Sequence, residues 1–283
     1  MTVRPKKFLG QHFLNDENIA RKIIDALNPK IPLVIEVGPG RGVLSKYMLQ
    51  EKAFDPWFVE IDRESVAYLK QLYPAITERL IEADFLKLDL EEFAKLHTPS
   101  PSLLRAGSKS PSGDLGVPCG IQILGNFPYN ISSQILFRVM EYRDLVDEVT
   151  GMFQKEVAQR IASPPGSKAY GILSVLLQAF YTIEYLFTVN ESVFTPPPKV
   201  KSAVIRLVRN EVQSLDCDET FWVIVVKTAF NQRRKTLRNS LRKLVPAEFT
   251  QLNDPIFDLR PERLSVSDFV RLAQMLHPER IEK

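Results

Sequence analysis

Sulfur and histidine are scarce in this chain. Of its 283 residues only Cys119 and Cys217 are cysteines, no Cys-x-x-Cys pair occurs, and His12, His97 and His277 are scattered. That pattern excludes a disulfide framework and a clustered zinc site, so no metal is expected. Long apolar runs are also missing. The longest, around Ile172 to Tyr181, carries Gln178 and falls well short of a bilayer span. The start, Met1-Thr-Val-Arg-Pro-Lys-Lys, lacks the apolar centre of a signal peptide. The expectation is a reduced, soluble, cytoplasmic protein with no membrane partner, and a monomer.

Strong net charge is absent as well, at +3, and names no partner by itself. The distribution says more. Lys227, Arg233, Arg234, Lys235, Arg238, Arg242 and Lys243 fall between Thr220 and Ala247 without an acid. Arg4, Lys6 and Lys7 precede the first acid, Asp16. Two basic stretches fit a polyanionic partner, although a solvated helix face gives the same pattern.

What is present reads as an α/β chain. Asn15 or Asp16 caps a helical segment with Ile19, Ile23, Ile24 and Leu27 on one face, ended by Pro29. Leu33–Val37 is an apolar run entering a glycine cluster, the mark of a buried parallel strand, and Val43–Leu49 follows as a helix. Strands are expected at Trp57–Ile61, Arg79–Ala83, Ile121–Leu124 and Val200–Val208. Helices are expected at Glu64–Leu72, Ser132–Glu141, Lys155–Ala162 and Gly171–Phe180. Such alternation implies a doubly wound, Rossmann-like sheet with ligands at the carboxyl ends of its strands. After Asn210 the pattern turns helical, at Glu219–Phe230, Arg233–Leu244 and Ser265–Leu276, which divides the chain into domains 1–209 and 210–283. His97 to Pro118, rich in Pro, Ser and Gly, is expected to be a flexible insertion.

Glu36-Val-Gly38-Pro-Gly40-Arg-Gly42 lies between the first strand and its helix. Glycines let the backbone turn tightly against a ligand, and a helix N-terminus favours an anionic group. That group is a pyrophosphate in a nicotinamide enzyme and the methionine carboxylate in an S-adenosylmethionine enzyme. Glu60, ending the second strand, can accept from both ribose hydroxyls. Asp84, ending the third, can accept from an adenine amine while Phe85 covers the ring.

Gly125-Asn126-Phe127-Pro128-Tyr129-Asn130 ends the fourth strand on the same side. The lone pair of adenine N6 is delocalised into its ring. Catalysis there needs acceptors for the amine protons and alignment of the nitrogen behind the methyl donor. The Asn126 carbonyl can accept one proton, and a backbone carbonyl of Phe127 or Pro128 the other. Tyr129 offers a face on which an extruded base can stack. Phe194, before Pro196-Pro-Pro198, is a candidate for the opposite face, with a place in the core as the alternative.

Taken together, Phe8-Leu-Gly-Gln-His-Phe-Leu-Asn-Asp16, Glu36-Val-Gly-Pro-Gly40, Gly125-Asn-Phe-Pro-Tyr-Asn-Ile-Ser132, Phe194-Thr-Pro-Pro-Pro-Lys-Val200 and Phe230-Asn-Gln-Arg-Arg-Lys-Thr-Leu-Arg-Asn-Ser240 closely resemble the bacterial small-subunit (16S) rRNA adenine dimethyltransferases of the KsgA type. The resemblance implies a Rossmann-like S-adenosylmethionine-dependent methyltransferase domain with a smaller C-terminal helical domain. The reaction it implies is transfer of four methyl groups to two adjacent adenosines, in a hairpin near the 3′ end of small-subunit rRNA. The substrate would be a pre-30S particle late in assembly. By motif position, His12 and Leu14 would line the cofactor pocket with Gly38, Glu60, Asp84 and Asn126, and the basic helix carrying Arg233, Arg234, Lys235 and Arg238 would contact rRNA. Departures from the family pattern are His12 for a common Asn, Phe127 for a common Leu, and the long 97–118 insertion. Competing readings are the large-subunit methyltransferase of macrolide resistance, and an assembly factor that acts mainly by binding.

Overall fold

Leu33–Val37 is buried at all five positions, and a strand with both faces covered needs neighbours on each side. The computed structural model, which describes residues 3–97, 120–245 and 249–277, supplies them. In chain order its elements are β1 (Phe13–Leu14), α1 (Glu17–Ile24), β2 (Leu33–Val37), α2 (Ser45–Met48), β3 (Asp55–Glu60), α3 (Arg63–Leu72), β4 (Leu80–Glu82), α4 (Leu90–His97), β5 (Ile121–Asn126) and α5 (Ser132–Glu141). There follow β6 (Val146–Gln154), α6 (Lys155–Ala162), α7 (Ile172–Gln178), β7 (Tyr181–Val189), β8 (Phe194–Thr195), β9 (Ser202–Arg209), α8 (Glu219–Asn231), α9 (Leu237–Ser240) and α10 (Val266–Leu276). Apart from His97, the expected insertion lies outside the described residues.

Seven strands form one mixed sheet in the order β4-β3-β2-β5-β6-β9-β7. The first five are parallel, and β9 runs antiparallel to β6 from Ser202 opposite Gln154 to Val208 opposite Glu148. From β2 the chain winds outward through β3 to β4, then returns to place β5 on the other side of β2. The strand order therefore reverses between β2 and β5, and the carboxyl ends of those strands open a crevice. The first turn of α1 is satisfied locally. Asp16, one of the two expected caps, accepts from the N–H groups of Asn18 and Ile19 at the start of α1.

The chain divides into two compact units. One comprises Met1–Ala158 and Ile183–Arg209, the other Gln159–Thr182 and Asn210–Lys283. A cut at residue 210 therefore misses a segment: α7 packs on α8, so residues 159–182 group with the helical unit. In that unit Trp222, Val225, Val226, Ala229 and Phe230 of α8 are buried together with Phe269, Leu272 and Leu276 of α10.

Two expected helices also need correction. The helix expected at 43–49 is regular only over Ser45–Met48. The basic helix expected at 233–244 shrinks to Leu237–Ser240. The reason for the second lies in its hydrogen bonds. After Gln232 leaves helical geometry, Leu237 N–H donates to the Leu259 carbonyl (2.8 Å) instead of continuing the helix. Strands β6 and β7 were not anticipated.

Among the described residues no helix is long and apolar enough to cross a membrane, and no three His, Cys, Asp or Glu could hold a metal ion together.

Candidate functional site

The crevice holds a pocket built from five chain segments. Gly38 and Gly40 follow β2, Glu60 ends β3, Asp84 and Phe85 follow β4, Asn126, Pro128 and Tyr129 close β5, and His12 comes from the N-terminal segment. All nine were read from sequence, and the structure brings them together. Gly38 has φ of 69°, where a side chain is strained, and a methyl group on it would meet no atom within 4 Å. The open space beside this backbone is a cradle that a ligand can fill.

Glu60 is 3% exposed and bridges the turn to its own strand end. Its Oε2 accepts Gly40 N–H (2.9 Å) and its Oε1 accepts Asp62 N–H (2.8 Å). Burial pushes its carboxyl up, against the pull of those amides. Each oxygen keeps a second lone pair for ribose hydroxyls. Asp84 is half-buried, with Oδ1 held by Leu86 N–H (3.0 Å), while Phe85 is buried beside it. Carboxylates at two strand ends, a glycine cradle and an apolar cover fit an adenosine-containing cofactor.

Asn126 is oriented by the N-terminal segment. Its Nδ2 donates to the His12 carbonyl (2.8 Å), which turns Oδ1 to the other side as an acceptor. The Pro128 carbonyl accepts Ile131 N–H (3.1 Å), which occupies one of its two lone pairs. Tyr129 is held at both ends. Its hydroxyl pairs with Ser202 Oγ (2.6 Å), and its ring stacks on His12 with centroids 5.4 Å apart. Burial raises the Tyr129 phenol pKa, so it stays neutral at ordinary pH. His12 Nδ1 in turn lies 2.7 Å from the Pro196 carbonyl.

Three candidates lie elsewhere. Leu14 and Phe194 are Cα partners across the β1–β8 ladder, each 3% exposed, and both belong to the hydrophobic core. For Phe194 the core alternative is the one the structure shows, because its side chain is buried within that cluster. Glu36 is 2% exposed and accepts from Ser45 Oγ (2.7 Å), so it supports the glycine turn from beneath. Burial, reinforced by the nearby Glu60 against the pull of Ser45, pushes Glu36 up to about 8.

In the helical unit, Arg233 donates to the Lys168 carbonyl (2.5 Å) and Arg238 contacts both Asp258 (2.8 Å) and the Leu252 carbonyl (2.7 Å). Arg234 and Lys235 are exposed and carry no ion pair among the described residues.

Sequence reasoning missed several supports. Lys6 Nζ pairs with the buried Asp62 carboxylate (2.5 Å), and Gln11 accepts Lys6 N–H (2.9 Å) while reaching Asp62 Oδ2 (3.4 Å). Burial tends to raise the Asp62 pKa, but Lys6, Ser65 and the Glu64 amide together hold it below the usual range. This tether fixes the segment that carries His12. Phe127, 1% exposed, packs over Gly125 and Gly151, which are paired across β5 and β6. A glycine inside an unrecognised strand gave no sign of that contact.

Comparison with known proteins agrees with this geometry. Residues 3–277 match the family model described as ribosomal RNA adenine dimethylase. The ribosomal RNA small subunit methyltransferase A of Phocaeicola vulgatus is 51% identical over 97% of this chain and 90% of its own. That of Porphyromonas gingivalis is 50% identical over 98% and 99%. Among solved structures, a dimethyladenosine transferase from Plasmodium falciparum matches with a TM-score of 0.68 and 25% identity, over 92% of this chain and 96% of that one. The 23S rRNA methyltransferase ErmE matches with a TM-score of 0.62 over 93% and 99%, a likeness of fold at 22% identity. On the strength of the full-length match and of relatives half identical to it, the chain belongs to the ribosomal RNA adenine dimethylase family.

Proposed function

We propose that this protein transfers methyl groups from S-adenosylmethionine to the N6 amines of two adjacent adenosines in small-subunit (16S) rRNA, within a pre-30S particle. The observation that carries the reading is Asn126, turned by the His12 carbonyl so that its own carbonyl is free, at the edge of a pocket lined by Glu60 and Asp84. Half-identity over the full length to proteins named small subunit methyltransferase A supports the small subunit over the large.

When bound, S-adenosylmethionine supplies an electrophilic methyl group on a sulfonium. The protein's own part is binding and alignment. The open space at Gly38 would admit the cofactor, Glu60 would accept from its ribose hydroxyls, and Asp84 would accept from its adenine amine. Asn126 Oδ1 would accept a hydrogen bond from one N–H of the target amine and the carbonyl of Phe127 or Pro128 from the other, and the proton released once the nitrogen is alkylated passes to solvent. Holding both N–H groups favours a more tetrahedral nitrogen and returns its lone pair toward the methyl group. Tyr129, fixed by Ser202, offers its ring to the extruded base.

Two variants test the reading. Glu60→Ala should lose affinity for S-adenosylmethionine in direct binding. Asn126→Ala should transfer methyl groups about 10²–10³-fold more slowly even at saturating S-adenosylmethionine. Full cofactor affinity in Glu60→Ala, or near-normal turnover in Asn126→Ala, contradicts it.

A further inference from the structure

A second pocket of about 480 Å³ opens beside the first, large enough for a nucleotide. The two share Gly10, Gln11, His12 and Tyr129, so an aromatic wall separates them. The second has a different chemistry. Lys7 and Lys199 line it, both exposed and without an ion pair among the described residues, and no carboxylate faces it. Pro196, Pro197 and Pro198 line it as well, with Gln154 at the end of β6. The Gln154 side-chain amide makes no hydrogen bond among the described residues. Two free ammonium groups, an apolar floor and an unengaged amide are the parts needed for a phosphate, a base face and a base edge.

Asn126, Glu60 and Asp84 line only the first pocket, so a base seated in the second is away from the methyl-accepting position. We propose that the second pocket holds the nucleotide next to the target adenosine. Its phosphate sits between Lys7 and Lys199, its base lies on the proline turn, and Gln154 contacts the base edge. This rests on the rRNA methylation reading above and adds to it an account of two adjacent targets. While one adenosine is methylated its neighbour occupies the second pocket, and a shift of one nucleotide exchanges them.

The test uses the full-length protein and small-subunit particles that lack the modification. Lys7→Ala/Lys199→Ala should raise the KM for the particle about tenfold. Loss of the one single-strand phosphate that the two lysines hold should also flatten the slope of log KM against log salt by about 0.7. The Kd for S-adenosylmethionine should not move. Gln154→Ala should alter the ratio of modification between the two adenosines without changing the salt slope. Lys22→Ala/Lys30→Ala, an equal loss of charge at exposed positions outside the pocket, should leave KM and slope as in the wild type. An unchanged KM and slope in Lys7→Ala/Lys199→Ala overturns the proposal, as does an equal effect in the Lys22/Lys30 control. A wild-type protein that modifies no adenosine overturns the methylation reading itself.

Discussion

A side-chain amide can face either way, and in Asn126 the backbone carbonyl of His12 makes the choice. The same residue stacks on Tyr129 and reaches the Pro196 carbonyl, so three parts of the site meet at His12. Tyr129 supplies a ring and needs no ionisation. Tyr129→Ala should therefore abolish transfer while Tyr129→Phe keeps most of it, losing only the Ser202 hydrogen bond. Equal loss in both variants would contradict a stacking role. Glu36 makes a separate prediction about stability. Its folded pKa, about 8, lies above the unfolded carboxyl value, so between those limits the folded state holds a proton that the unfolded state releases. Stability from this group is full at acid pH and is lost as pH rises toward 8. Denaturation of Glu36→Gln against wild type should show a variant whose relative stability grows from pH 5 to pH 8. A constant difference would show that Glu36 is not buried as an acid.

Among the elements, legibility followed how far burial was written in local pattern. Leu33–Val37, Ser132–Glu141 and Lys155–Ala162 were readable to the residue, because apolar spacing and turn residues coincide there. Strand β6 was not. Asp147, Glu148 and Gly151 break its apolar run, yet all but the last of its residues are buried. Strand β7 carries exposed positions as the terminal member of the sheet, so its pattern never resolved into a clean alternation. The pairing of Leu14 with Phe194 joins segments far apart in the chain, which no local signal announces. In the site, strand-end acids and glycines were visible because their chemistry is local. The Lys6–Asp62 tether and the seat of Phe127 were not, because each depends on a partner brought by the fold. The unseen Gly151 is testable. A methyl group there overlaps the Phe127 ring, so Gly151→Ala should lower stability by about 1–3 kcal/mol and displace Asn126 and Tyr129. Unaltered turnover and melting in that variant would deny the contact.

For the whole molecule, the question is how the protein engages a polyanion with a net charge of only +3. On the proposed reading local clusters carry that task, and their members differ in kind. Arg233 and Arg238 are tied into the helical unit, whereas Arg234 and Lys235 face solvent. Arg234→Ala/Lys235→Ala should weaken particle binding and flatten its salt dependence without a change in melting. Arg233→Ala should instead lower Tm by about 2–4 °C. The reverse assignment in a paired binding and melting experiment would return Arg234 and Lys235 to the role of a solvated surface.

The central claim concerns the substrate, and mapping of products tests it most directly. Labelled S-adenosylmethionine would be supplied with unmethylated small-subunit particles, naked small-subunit rRNA or large-subunit rRNA, and modified nucleosides located by mass spectrometry. N6,N6-dimethyladenosine at two adjacent positions, formed on the small-subunit particle alone, is the predicted result. Label on large-subunit rRNA, or none on the particle while the protein still binds it, would contradict the account.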